Sequence, residues 1–69
     1  MLKVRELRNL RGMKQVELAE KAQIAQAYLS EIENGKTEPS LSVLKRLADV
    51  LEVSVSELIG ETPPKKEAM

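Results

Sequence analysis

The chain has 69 residues and no net charge, with 11 Lys plus Arg against 11 Asp plus Glu, so it makes one domain at most, near the lower limit for a core that folds without staples. It contains neither cysteine nor histidine, which excludes disulfides and thiolate metal sites and removes the commonest metal ligand and acid–base group together. So short a chain also lacks material for a deep pocket, so neither an enzyme nor a bound metal or cofactor is expected.

Leu, Ile, Val and Ala supply the apolar set and Tyr28 is the one aromatic residue, a composition that favours helices over strands. Val4, Leu7 and Leu10 recur at helical spacing among Lys3, Arg5, Arg8 and Arg11 before Gly12, which predicts helix 1 over about residues 2–11. A second helix is predicted from about Lys14 to Ala22, burying Leu18, Ala19 and Ala22. A third begins near Gln26, with Leu29 and Ile32 inward, and Asn34-Gly35 stops it. The segment Lys36–Pro39 is a turn, and Pro39-Ser40 opens helix 4, whose positions Leu41, Leu44, Leu47, Ala48 and Leu51 follow the helical period. Ser54 and Glu57 form a capping box for a short helix 5 ending at Ile59-Gly60.

These elements give an all-α domain of five short helices over residues 1–60. The tail 61–69, with adjacent Pro63 and Pro64 and no core residue, is expected to be frayed and disordered. The first segment is charged throughout, unlike a secretory signal, and no apolar run approaches the roughly 18 residues of a membrane span. A cytoplasmic protein without a membrane partner is expected.

Helices 2 and 3 are joined by about three residues, a connection that favours a steep crossing, and Ala19 is the small side chain that permits the close approach. That is a helix-turn-helix geometry. The residues then go further: Gln15 with Leu18-Ala19, followed by Leu29-Ser30, Ile32-Glu33, Gly35-Lys36, Pro39-Ser40-Leu41 and the Leu47-Ala48…Leu51…Val53-Ser54…Leu58 run. In these anchors the chain resembles the Cro/cI-type, or xenobiotic-response-element, helix-turn-helix family over about residues 2–59. The resemblance implies a lambda-repressor-like five-helix fold, helix 3 as recognition helix, and binding of double-stranded DNA at paired half-sites as a homodimer. One departure is Gln23, where the family often carries glycine in a left-handed turn; a larger residue there costs on the order of 1 kcal/mol.

On that resemblance the first turn of helix 3 meets base edges in the major groove while helix 2 crosses the backbone. Gln26 is then the best base reader, since an amide can bond adenine N6 and N7 together; its bland alternative is a solvated residue early in a helix. Ala27 either meets a thymine methyl or is simply a helix former. Glu31 reads a cytosine amine, selects against wrong sequences, or points away. Gln15 is expected to bond a phosphate at the start of helix 2, with Asn34, Lys36 and Thr37 adding phosphate contacts past helix 3. Tyr28 is either core or a phosphate contact, the latter favoured by the family pattern. Ser30 contacts phosphate or is small for close packing. The resemblance also places an ion pair at Arg8 and Glu33, expected to be partly buried and to fix helix 3.

The charge distribution supports an anionic partner for the first half: residues 1–36 carry seven basic and five acidic side chains, residues 37–69 four and six. Val55, Leu58 and Ile59 are the apolar residues left over for a dimer surface. The expected function is a transcriptional regulator, of repressor type, on an inverted repeat. With no sensor domain in these residues, control is expected from abundance, proteolysis or a partner protein. Zero net charge and Glu31 support a different class, a protein-interaction module (antitoxin-like or coactivator-like) on the same fold; Gln15, Gln26 and the basic first half oppose it.

Overall fold

The computed structural model describes residues 2–60, in which the helices are α1 Val4–Leu10, α2 Gln15–Ala22, α3 Gln26–Glu33, α4 Leu41–Leu51 and α5 Val55–Ile59. No strand occurs among the described residues, and the tail expected at 61–69 lies outside them.

Four of these helices end by the same device. At Arg8–Met13, Ala19–Ile24, Glu31–Lys36 and Ala48–Val53 a backbone N–H reaches back five residues to a carbonyl, at 2.9–3.1 Å, around a left-handed residue. This pattern satisfies carbonyls that the last helical turn would leave open. Glycine supplies the left-handed residue at Gly12 and Gly35, but Gln23 (φ 62°) and Glu52 (φ 59°) supply it after α2 and α4. The Gln23 turn is what allows α3 to leave α2 after three residues. Arginines reinforce two of these ends: Arg46 Nη1 donates to Ala22 O at 3.4 Å, and Arg11 Nη2 donates to Glu52 O at 3.4 Å.

Helix starts differ in a way that bears on the site. Ser40 Oγ accepts from Val43 N–H at 3.2 Å, and Ser54 with Glu57 forms a reciprocal capping box at 3.1 and 3.0 Å. At α2 and α3 the preceding residues, Lys14 and Ala25, make no side-chain cap, so first-turn N–H groups there remain open to an outside acceptor.

The core is aliphatic and draws on every helix: Val4, Leu18, Ala19, Ala22, Leu29, Ile32, Val43, Leu47, Ala48, Leu51 and Leu58 are buried. Helix α2 packs on α3 and α4, and α1 closes the other side against α3, α4 and α5. The N-terminal segment is tied down by Lys3 N–H, which donates to Leu58 O at 2.8 Å.

Two positions of the apolar pattern lie outside the core. Leu10, at the last position of α1, is 81% exposed, and Leu41, the first residue of α4, is 59% exposed. Both keep helical spacing but lie a turn beyond the core. Val43 takes the inward place instead, one turn before Leu47, while Leu44 is half-buried. One expectation needs correction, that of the dimer surface: Leu58 is completely buried within its own chain, so it is no part of an outer face. Its neighbours Val55 and Ile59 are only half-buried.

Candidate nucleic-acid interface

Burial of Leu29 and Ile32 fixes which side of α3 faces out. Gln26, Ala27 and Glu31 are exposed, as are Asn34 and Lys36 just beyond the helix, whereas Ser30 and Thr37 are half-buried. Tyr28 falls between its two expected states, half-buried with its ring packed against the core. The exposed set therefore forms one polar strip along α3 and its C-terminal turn, with the uncapped starts of α2 and α3 at the same end as Gln26.

Behind the strip lies a buried ionic centre. Arg8 Nε donates to Glu33 Oε2 at 2.8 Å and Nη2 to Oε1 at 3.2 Å, a two-pronged contact between α1 and the last residue of α3. The Arg8 side chain is 12% exposed and that of Glu33 not at all. The third nitrogen of Arg8, Nη1, donates to Met13 O at 2.8 Å. Burial would raise the Glu33 carboxyl pKa. Hydrogen bonds from Arg8 and Gln15, the Arg8 charge and the nearby Arg5 guanidinium outweigh it and hold the group below the ordinary carboxylate range.

Two amides extend this centre to the surface. Gln15 Nε2 donates to Glu33 Oε1 at 3.1 Å, and Gln15 Oε1 accepts from Gln26 Nε2 at 3.3 Å. Gln15, expected as a phosphate contact, thus has one N–H engaged inward and the second free. At the other end of α3, Arg5 Nη2 donates to Asn34 Oδ1 at 2.6 Å, its Nε lies 3.5 Å from Glu33 Oε1, and Asn34 Nδ2 donates to Ser30 Oγ at 3.4 Å.

Arg5, the Gln15–Gln26 contact and the Gln15–Glu33 contact escape the sequence reading. A signal for Arg5 is present, because residues three apart share a helix face and Arg5 sits three before Arg8. For the amides the only hint is positional: both are the first residues of adjoining helices.

Among the described residues no group of Asp and Glu is placed to hold a metal ion, and no helix is long and apolar enough to cross a membrane.

Comparison with known proteins agrees with this architecture. The profile described as Helix-turn-helix matches residues 4–58. The immunity repressor protein of Bacillus phage phi105 is 40% identical over 65 residues, covering 94% of this chain and 45% of the repressor. The HTH-type transcriptional regulator SinR of Bacillus subtilis is 43% identical over 60 residues, covering 86% of this chain and 54% of SinR. A crystal structure of SinR, the master regulator for biofilm formation, in complex with DNA superposes with a TM-score of 0.75 at 42% identity, covering 81% of this chain and 90% of that one. The chain thus spans about half the length of these two curated relatives. With five helices, a left-handed turn between α2 and α3 and a profile match over nearly all described residues, the chain belongs to the helix-turn-helix family, of the Cro/cI type that its sequence resembles.

Proposed function

We propose that this chain is a sequence-specific DNA-binding transcriptional regulator, of repressor type, that lays α3 in the major groove of an inverted-repeat operator and binds it as a homodimer. The observation that carries the reading is the exposed polar strip of α3, with Gln26 at the helix start beside two uncapped helix ends. The relative solved with DNA shares this fold at 42% identity.

Gln26, Ala27 and Glu31 are the proposed base contacts, and half-sites one helical turn apart would place both recognition helices on one face of the duplex. Gln15 (through its free N–H), Tyr28, Ser30, Asn34, Lys36 and Thr37 are the proposed phosphate contacts. Val55 and Ile59 remain as the dimer contribution of α5. Selection of bound duplexes from a random pool, followed by titration against salt, tests the reading. A palindromic consensus and an affinity falling steeply with salt are expected, because phosphate neutralisation releases counterions. Absence of DNA binding at low salt overturns it and favours the protein-interaction module, which Glu31, exposed on α3, would serve.

A further inference from the structure

Glu33 is shielded from solvent behind Arg8 and cannot itself touch a duplex. It nevertheless terminates an unbroken line of polar contacts that ends on the amide proposed to read a base: Glu33 Oε1 to Gln15 Nε2 at 3.1 Å, then Gln15 Oε1 to Gln26 Nε2 at 3.3 Å. The direction of this line is not free. An ionised carboxylate only accepts, so Gln15 has to turn its amide nitrogen inward and its oxygen outward. Facing that oxygen, Gln26 has to donate in turn. The Gln26 amide is left with one N–H and its Oε1, the donor and acceptor that adenine N7 and N6 require.

We infer that Glu33 is a positioning residue for base readout, which sets through Gln15 which way round the Gln26 amide points. The inference rests on the proposed DNA-binding reading and adds to it a specificity role for a residue that never meets DNA. Its ionised state is maintained by Arg8, with Arg5 at 3.5 Å as a second cation. A mere strut for α3 would serve Gln26 no more than Ala27 or Glu31. A relay serves Gln26 alone.

The experiment uses the full chain and a random duplex pool, comparing base preference position by position for the wild type, Gln26→Ala, Glu33→Gln and the Gln26→Ala/Glu33→Gln pair. Gln26→Ala marks the position it reads. Glu33→Gln is expected to reduce preference at that same position by about fivefold or more, and to leave it unchanged in the Gln26→Ala background. An equal loss at every position overturns the inference and leaves Glu33 a strut. Should Glu33→Gln fail to fold, Gln15→Met keeps the Arg8–Glu33 pair and removes the middle of the line. It is expected to flatten the Gln26 position in addition to an even loss of affinity, and an unaltered Gln26 position overturns the inference. A wild-type chain that selects no sequence overturns the proposed function itself, an outcome separate from selective binding with uniform losses.

Discussion

Arg8 and Glu33, 25 positions apart in sequence, meet in a two-pronged contact at 2.8 and 3.2 Å that joins α1 to the end of α3, with the carboxylate sealed from solvent. Removing one partner leaves a buried charge unmatched, which is the expensive way to lose an ion pair. Arg8→Ala is expected to destabilise the fold by about 3 kcal/mol, at the lower end for a buried pair because Gln15 and Arg5 still serve Glu33. The double change Arg8→Met/Glu33→Leu should be markedly less harmful than Arg8→Ala. Urea unfolding of the three proteins measures this, and a double variant weaker than Arg8→Ala would show that the pair itself, not its isolation, carries the stability.

The same carboxylate makes the fold acid-sensitive. Burial raises its pKa, but the hydrogen bonds from Arg8 and Gln15, the Arg8 charge and the nearby Arg5 guanidinium lower it further, so it titrates lower in the folded chain than in the unfolded one. A group with a depressed folded pKa contributes stability that is fully present above its unfolded value, about 4.3 for glutamate, and is lost as pH falls through the folded value. The melting temperature should therefore drop below about pH 4.3, and Glu33→Gln should lose less over that interval than the wild type. Equal slopes for the two proteins in thermal melts across pH 2.5–6 would remove Glu33 from the acid response.

Much of this arrangement is legible in the chain because it is set locally. Helix periodicity, the Ser54–Glu57 capping box and the breaks at Gly12, Asn34-Gly35 and Gly60 depend on neighbours within a turn. The left-handed Glu52 is missed, since glutamate gives no turn signal and only the chain reversal after α4 requires it. Leu58 shows the other limit: an apolar residue on a short helix looks the same whether its cover comes from the same chain or another. The Gln15–Gln26 line is illegible for a third reason, because an amide's partner depends on where two separate helices cross.

Gln23 and Glu52 are both strained by positive φ, yet they should respond differently to glycine. The exposed Gln23 side chain makes no hydrogen bond among the described residues, so Gln23→Gly releases left-handed strain against the extra entropy of an unfolded glycine, a net gain of about 0.5–1 kcal/mol. Glu52 Oε1 accepts from Arg11 Nη1 at 3.0 Å, so Glu52→Gly also gives up a surface pair worth about 0–1 kcal/mol and should come out near neutral. Differential scanning calorimetry separates them. An equal gain at the two residues would mean that the Arg11 contact contributes nothing.

Leu58→Ala distinguishes a core residue from a dimer residue. Loss of a fully buried leucine costs about 2–5 kcal/mol through transfer and cavity terms, and Leu58 has no exposed surface in the single chain. The melting temperature should fall by the same amount at every protein concentration. A loss that grows on dilution would place Leu58 between two chains and contradict its burial here.

Lys36 and Glu31 occupy adjoining places, since the Lys36 N–H donates to Glu31 O at 2.9 Å, but their side chains should act on DNA in different ways. Lys36 is exposed past the end of α3, the place proposed for a contact to backbone phosphate and not to a base edge. Lys36→Ala is therefore expected to weaken all sequences alike and to reduce the slope of log affinity against log salt by about 1. Glu31 lies on the outward strip of α3 and, as an acceptor, matches the cytosine amine. Glu31→Gln should lower the preference for cytosine at one position by about fivefold, with the salt slope nearly unchanged because no phosphate contact is lost. Salt titrations on the selected operator and on single-base variants resolve the two. A steeper slope without altered base preference in Glu31→Gln would show that this carboxylate repels the backbone and reads nothing.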